Sequence, residues 1–534
     1  MKTGGLDAIV IGAGFAGLYA VHRCVSEGLT VLGIEAAPSV GGTWYWNRYP
    51  GARCDVESVD YSYSFDENLQ SEWTWTERFA AQPEILAYLE HVADRFDLRR
   101  HYAFGTEVLG AEFDESAGQW VVQTSAGVSR RSRFLLCATG CLSAMNRPDV
   151  PGLDDFAGEV YYTADWPRDD PPLRGKRIGL IGTGSSGIQV TPILADQAES
   201  LVVFQRSPNY TIPMPNHPWS DEDLQRICRE YPERRKRSAY AGAGTPHGTY
   251  HKNALDADPE ERLEAMWARW RDGGVLFSKT FPDQGSVLAA NDIARQFAED
   301  RIREIVKDPA VAEDLIPTDH PIGAKRICTD AGYYATFNRD NVRLVNLRRE
   351  PIEAVVAGGV RTSETTYDCD VLVFATGFDA LTGAMTRIGP VGPGGDRLTE
   401  LWADGPVTFL GVMVPRLPNL FTFSGPGSPS VLANMVLHAE VQVDWAVELM
   451  TEARRRGITE VEPRRDAARA WTAHVTEVAE HTLFPKARSS WYLGSNIDGK
   501  KRVFMPYIGG FGNYRRSLDD VAAQGYPGLV LTTR

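Results

Sequence analysis

The chain has 534 residues, of which 43% are hydrophobic and 24% charged, with a formal net charge of −14. That length exceeds one ordinary core and predicts two or three globular domains. The acidic balance argues against a nucleic-acid partner, and no apolar run approaches the length of a bilayer-spanning helix.

The seven cysteines are odd in number and scattered, which predicts reduced thiols in a cytoplasmic protein. MKTGG leads directly into an apolar strand, leaving no room for a leader. Residues 7–12, DAIVIG, predict that strand, a helix should follow from Phe15 to Cys24, and the strand LTVLGIE ends at Glu35. This is the βαβ context that Gly12, Gly14 and Gly17 require. Gly12 serves the tight turn, Gly14 admits a pyrophosphate to the backbone, and Gly17 lets helix and strand pack closely. Glu35 stands 18 residues after Gly17, where an acid accepts ribose hydroxyls and repels a 2′-phosphate. The site therefore suits FAD or NAD rather than NADP. Residues 41–58 are rich in Gly, Pro, Trp and Tyr and predict an ordered loop. Its aromatics either wall a flavin ring or simply pack, and Asp55, taken alone, reads as a turn carboxylate.

Residues 70–96 predict helix, and 101–136 a meander of short strands with a turn at Ala117-Gly118. The meander ends in Ala138-Thr139-Gly140, as a strand leaving a nucleotide domain does. Cys137 and Cys141, on this strand end, read as lying well away from the first glycine motif, which counts against a flavin disulfide reductase. Prolines 148, 151, 167, 171 and 172 then mark a linker. A second βαβ unit runs from Arg177 to Arg206 and carries Gly182, Thr183, Gly184, Ser185, Ser186 and Gly187. Arg206 replaces the acid. It is either a solvated strand-end residue or, favoured by its position, a bidentate partner for a 2′-phosphate, so this site should prefer NADPH.

Residues 217–310 read as mostly helical. Asp258, Pro259 and Glu261 form a helix start. Leu263, Met266, Trp267 and Trp270 share one face of that helix, and Ala294, Phe297, Ala298, Ile302 and Ile305 one face of another. Both stripes read as core, and residues 239–252 between helices read as mobile. Lys325 and Arg326 are adjacent, so an extended segment points them to opposite sides; from composition alone they read as two exposed basic residues. Residues 370–377 return as a strand. The tail holds the loop at 425–435, a helix from about Leu432 to Arg456, and aromatic loops at Trp491-Tyr492 and Tyr507–Tyr514. Lacking a third glycine pattern, it should complete the first domain. No zinc-type cluster, nucleophile elbow or Walker motif is present, and no metal is expected.

Together these residues resemble the type I Baeyer–Villiger monooxygenases, across nearly the whole chain. The family pattern between the two glycine motifs is matched by Phe156, Gly158, Trp166 and Pro167, with Tyr162 in place of its histidine. A second pattern is matched by Gly42, Trp44, Tyr49, Pro50, Gly51 and Asp55, and the run Ala375-Thr376-Gly377-Phe378-Asp379 also fits. The resemblance implies an α/β fold: two Rossmann-like dinucleotide-binding domains, for FAD and NADP, with a helical insertion. Residues 1–141 and 375–534 would bind FAD, 142–216 and 318–374 NADP, and 217–317 would form the insertion.

It also implies FAD, NADPH and O2 as partners, and a flavin peroxide that inserts one oxygen beside the carbonyl of a small ketone. Arg326 looks like the catalytic arginine and Asp55 its carboxylate partner. Gly42, Thr43, Trp44, Asp55 and Tyr61 look like flavin contacts; Lys325, Arg206 and Ser207 hold the 2′-phosphate, and Trp491 and Arg326 also meet the cofactors. Ser430, Val431 and Leu432 look like part of the substrate pocket. Nothing in the sequence selects an aromatic, steroid-like or alicyclic ketone, and a monomer is as compatible as an oligomer. The nearest alternative is a flavin monooxygenase acting on N or S atoms; a non-catalytic NADPH sensor is another.

Overall fold

The structure is a computed structural model that describes residues 5–533. Two sheets carry the two glycine motifs. The first has seven strands: Tyr102–Ala103, Val31–Ile34, Leu6–Ile11, Ser129–Cys137, Gln119–Thr124 and Val108–Asp114 in that order, with Leu420–Thr422 also paired to Ser129–Cys137. The strand Leu6–Ile11 runs parallel to both neighbours, with Ile11 opposite Ile34 and Cys137. Ala8, Ile9 and Val10 are fully buried, as expected for a strand covered on both faces. One face is covered by the helix Phe15–Ser26, which packs on Met435–Arg455; Tyr19 donates to Asp444 at 2.9 Å and Arg23 meets the same carboxylate at 2.7 Å. Leu420 pairs with Leu135, so the C-terminal third contributes a strand to the first sheet.

The second sheet has five parallel strands in the order Val342–Asn346, Ser200–Gln205, Arg177–Ile181, Val371–Phe374, Glu159–Tyr162. Of the helices between 217 and 317, Asp221–Ser238 packs its Ile227 and Tyr231 into the first core. The helices Pro259–Asp272 and Leu288–Ile305 build a cluster of their own around Met266, Trp270, Phe277 and Ala294. Asp258 forms a reciprocal capping box with Glu261. Among the described residues, no helix is long and apolar enough to cross a membrane.

The two glycine turns are near-duplicates. Gly12 and Gly182 have φ of 109° and 111°, and the helix caps Gly14 and Gly184 share φ of −83°. A Cβ on Gly17 would lie 1.9 Å from the Gly12 carbonyl oxygen, and one on Gly187 2.1 Å from that of Gly182. A Cβ on Gly12 would meet the Ala138 oxygen at 2.4 Å, and one on Gly182 the Ala375 oxygen at 2.5 Å. Each turn is thus held between its own helix and the strand end of an Ala-Thr-Gly run.

Several sequence expectations need correction. The loop 41–58 contains one helical turn, Thr43–Trp46; positive φ at Gly41 and Gly42 redirects the chain so that Trp44 and Tyr45 bury their rings. The helix read over 70–96 is two, Glu67–Glu72 and Gln82–Arg95. Between them the backbone pairs with the 54–58 segment, Ser58 N–H donating to Arg78 C=O at 2.7 Å and Cys54 N–H to Ala80 C=O at 3.1 Å. Leu263 is 52% exposed, whereas Met266 and Trp270 of the same helix are buried. Residues 239–252, read as mobile, are tied to the C-terminal part: Asn434 N–H donates to Ala243 C=O and Phe511 N–H to Gly242 C=O, both at 2.9 Å. The strand end with Cys137 and Cys141 lies beside the first glycine turn, not away from it, because Cys137 pairs with Ile11.

The glycine geometry separates fold from ligand space. Gly187→Ala should destabilise the protein by roughly 1–3 kcal/mol through overpacking against backbone, lowering the thermal midpoint by a few degrees. A Cβ on Gly184 would meet nothing within 4 Å, so Gly184→Ala should unfold close to wild type. Thermal unfolding of both variants checks this; equal losses would refute the assignment.

Candidate functional site

Both glycine turns sit at the carboxyl ends of their parallel strands and open onto one cavity of about 1510 Å³. That is more than the roughly 300–1,000 Å³ of a site for one drug-sized ligand. From the first half, Gly12, Gly14, Glu35, Gly42, Thr43, Trp44, Asp55 and Tyr61 line it; from the second, Gly182, Thr183, Gly184, Ser185, Ser186, Arg206 and Ser207. Lys325, Arg326, Val431 and Trp491 complete the wall. Gly17 and Gly187 stand beneath their turns and do not line it. Ser430 and Leu432 also stand behind the wall; Ser430 is fully buried and donates from Oγ to Ser424 C=O at 2.8 Å.

The first half fits a dinucleotide. Gly14 and Gly42 approach so closely that a Cβ on Gly42 would lie 2.7 Å from the Gly14 Cα. A side chain at either position would narrow the space before the helix N-terminus, where free amides favour a pyrophosphate. Glu35 accepts from the Ala13 N–H at 2.6 Å and the Ala37 N–H at 2.8 Å. Burial raises its pKa, and these amide bonds oppose the rise. Trp44 Nε1 donates to the Tyr61 hydroxyl at 3.2 Å, edge to face.

Arg326 is not the exposed residue that composition suggested. Its Nε and Nη2 donate to the two Asp55 carboxylate oxygens at 2.9 and 2.7 Å, a bidentate fork, and Nη1 donates to Val431 C=O at 2.6 Å. Burial by itself would lower the arginine's pKa, but the Asp55 charge and hydrogen bonds outweigh it and hold the group above its ordinary value. The guanidinium is therefore charged at any working pH. Its side chain is 26% exposed, and the open part belongs to the cavity wall. Tyr492, missed by sequence reasoning, lies behind it; burial pushes its phenol up to about 12, with Arg326 opposing. The loop holding Trp491 and Tyr492 is pinned to the Ala375–Asp379 run, with Asn496 donating to Phe378 C=O at 2.9 Å and Lys500 paired with Asp379.

The chain bends at Lys325 rather than running extended, and Lys325 lines the same cavity as Arg326; it too is largely buried. Burial lowers its pKa and Asp319, 3.6 Å away, opposes that. Asp319 also holds Arg348 at 2.6 Å, and Arg348 donates to Ser207 Oγ at 3.2 Å. Arg206 is exposed beside Ser207. The structure thus gathers Arg206, Ser207 and Lys325 at one end of the cavity, with Arg348 behind Ser207 as a cation the sequence did not reveal.

Tyr162 ends the edge strand of the second sheet, stacks on Phe374 at 5.3 Å and sits under the Arg147 guanidinium at 5.4 Å; it does not line the cavity. Trp166 shares the second core with Tyr49 and Ala52. Cys54, Cys141 and Cys328 do line the cavity, but all seven thiols are free, and burial pushes Cys328 up to about 12. One cluster of metal-type side chains occurs among the described residues, Glu57, Asp60 and His247. Arg234 pairs with both carboxylates and Arg78 with Glu57, so arginines already neutralise it.

Comparison with known proteins gives a consistent picture. Residues 7–216 match the FMO-like family, described as flavin-binding monooxygenase-like. A Baeyer–Villiger monooxygenase of Pseudooceanicola batsensis is 41% identical over 530 residues, 98% of this chain and 96% of that protein. A phenazine N-monooxygenase of Lysobacter antibioticus is 40% identical over 537 residues, 98% of this chain and 97% of that protein. Among solved structures, an oxidised steroid monooxygenase bound to NADP is 52% identical, with a TM-score of 0.95 over 99% of this chain and 100% of that one. With a shared cavity, a charged arginine in its wall and end-to-end likeness, this chain belongs to the Baeyer–Villiger monooxygenases of the flavin-binding monooxygenase family.

Proposed function

We propose that the protein uses FAD, NADPH and O2 to convert a small ketone into an ester or lactone, with FAD on the Gly12–Glu35 side of the cavity and NADPH on the Gly182–Ser207 side. The domain division follows: 1–141 with 375–534 for FAD, 142–216 with 318–374 for NADP, and 217–317 as the helical insertion. Bound FAD, once reduced by NADPH, supplies the activated oxygen. What this chain adds is position and charge. The observation that carries the reading is the Asp55–Arg326 fork in the wall of a cavity that both glycine turns share.

Oxygen insertion next to a carbonyl builds negative charge on oxygen, first on the attacking atom and then on the carbonyl adduct. Arg326 offers preorganised N–H donors and a permanent positive charge to that oxygen. Asp55 fixes the plane of the guanidinium, Val431 C=O holds a third N–H, and the buried surroundings exclude water. Glu35 disfavours a phosphorylated ribose at the first site, while Arg206 and Lys325 favour one at the second. Ser430, Val431 and Leu432 place a loop beside Arg326, and Val431 faces the ketone. The seven free thiols suit a cytoplasmic location. A second reading is oxygen transfer to a nitrogen or sulfur atom in the same cavity, and the likeness to a phenazine N-monooxygenase favours its nitrogen form.

Two outcomes test this assignment. NADPH should be used in preference to NADH, and Arg206→Ala with Lys325→Ala should largely erase the preference. The lost phosphate bonds are worth about 1.5–3 kcal/mol, roughly ten- to a hundredfold in binding; equal wild-type use of NADH would contradict it. Arg326→Ala should still allow the flavin to be reduced but cut ester formation by roughly a hundred- to a thousandfold, with NADPH drained into hydrogen peroxide. Asp55→Ala should act in the same direction and more mildly. Stopped-flow reduction alongside product analysis checks both; normal ester yield from Arg326→Ala would move the catalytic cation elsewhere.

A further inference from the structure

The segment Tyr49–Arg53, just before Asp55, packs through Tyr49 and Ala52 into the second core and is hydrogen-bonded from the second half of the molecule by Gln189. It stands on the helix Ser185–Gln197, whose first residues Ser185 and Ser186 line the cavity. Gln189 itself does not line it and faces the 49–53 segment instead. The Tyr49 hydroxyl donates to Gln189 Oε1 at 2.7 Å, and Gln189 Nε2 donates to Arg53 C=O at 3.1 Å. The carbonyl partner fixes which end of the amide is which. Gly51 lies between, with φ of 85°; a Cβ there would come 2.8 Å from the Gln189 carbonyl oxygen. Residues 49, 51 and 53 therefore all register against one residue.

The same segment has separate anchors on its own side. Cys54 N–H donates to Ala80 C=O, Gln82 N–H to Ala52 C=O at 2.9 Å, and Arg53 pairs with Glu77 at 2.7 Å. These anchors are independent of Gln189, whose two hydrogen bonds add to the packing of Tyr49 and Ala52 on the second half. Two residues after Arg53, Asp55 holds Arg326. A continuous path of hydrogen bonds and backbone thus runs from the second glycine helix through Gln189, the 49–53 segment and Asp55 to the guanidinium.

We propose that Gln189 is a positioning residue that couples occupancy of the second glycine-motif site to the setting of the Asp55–Arg326 pair. The coenzyme site lies at the N-terminus of the Gln189 helix, and the residue one turn in transmits the helix position to the catalytic carboxylate. This rests on the function proposed above. When the site is filled, Arg326 is held for oxygen insertion. When the pin is absent, reduction proceeds but insertion is mistimed and the activated oxygen is lost as hydrogen peroxide.

The test uses full-length enzyme with FAD, carrying Gln189→Leu, which removes both polar atoms, or Tyr49→Phe, which removes one hydrogen bond. Four quantities are compared with wild type: flavin reduction rate, NADP+ affinity, thermal midpoint, and ester formed per NADPH consumed. Reduction and NADP+ affinity should stay within about twofold, while ester per NADPH falls roughly two- to tenfold, the scale of one or two ordinary hydrogen bonds. Tyr49→Phe should show a smaller loss, and the double variant no more than Gln189→Leu alone, because both act through one link. Unchanged yield in both single variants overturns the inference. So does a yield that falls only in proportion to reduction rate and flavin retention, which marks a merely structural role. A wild type that forms no ester from any ketone overturns the functional reading and this inference with it, whereas an active wild type with unaffected variants overturns this inference alone.

Discussion

The ion pair between Asp55 and Arg326 joins two segments 271 residues apart in sequence and sets the rest of the site. A solvent-exposed pair would contribute at most about 1 kcal/mol. This one is mostly removed from water, where breaking one partner typically costs about 3–5 kcal/mol because the other charge is left uncompensated. Its value is better judged by what it fixes. The Nε–Nη2 edge is used by Asp55, a third N–H is held by Val431 C=O, and the side chain so held lines the cavity. An arginine pinned on three donors needs no reorganisation when charge develops next to it.

Around that pair the molecule uses one local design twice. Each sheet places a strand end, a glycine turn and a helix N-terminus at the rim of the same cavity, with an Ala-Thr-Gly run packed against the turn. The φ values and the blocked Cβ positions agree so closely that the difference in ligand has to come from elsewhere. The proposed source is the residue after the second strand. Glu35 is buried and held by two backbone amides, so it presents negative charge at one end. Arg206 is exposed and stands near Lys325 and Ser207, so positive charge waits at the other. On the proposed assignment, two sites of one geometry would thereby distinguish a plain ribose from a phosphorylated one.

Much of this was legible in the sequence because it is local. Apolar strands ending in glycine, the 18- and 19-residue spacings to Glu35 and Arg206, and the capping box at Asp258 depend on neighbours in the chain. The failures were long-range. Cys137 and Cys141 read as remote from the first glycine turn because their closeness comes from parallel pairing of Ser129–Cys137 with Leu6–Ile11. Lys325 and Arg326 read as exposed because Asp319 and Asp55, which make their burial tolerable, sit elsewhere. The break in the helix read over 70–96 arises from backbone pairing with residues 54–58, which no periodicity reports. Arg348, Tyr492 and Gln189 carry no motif at all; only their partners give them meaning. Tyr162, which stands in place of the family histidine, is a stacked edge-strand residue that does not itself line the cavity.

The central claim is that a charged, pinned arginine directs activated oxygen to a carbonyl. It is tested most directly by incubating the holoenzyme with NADPH, isotopically heavy O2, and a panel of aromatic, steroid-like and alicyclic ketones together with a thioether and an aromatic amine. The account predicts an ester or lactone one heavy oxygen atom heavier than its ketone, formed by wild type and essentially absent with Arg326→Ala. Heavy oxygen appearing only on sulfur or nitrogen, or an ester yield that does not depend on Arg326, would contradict it.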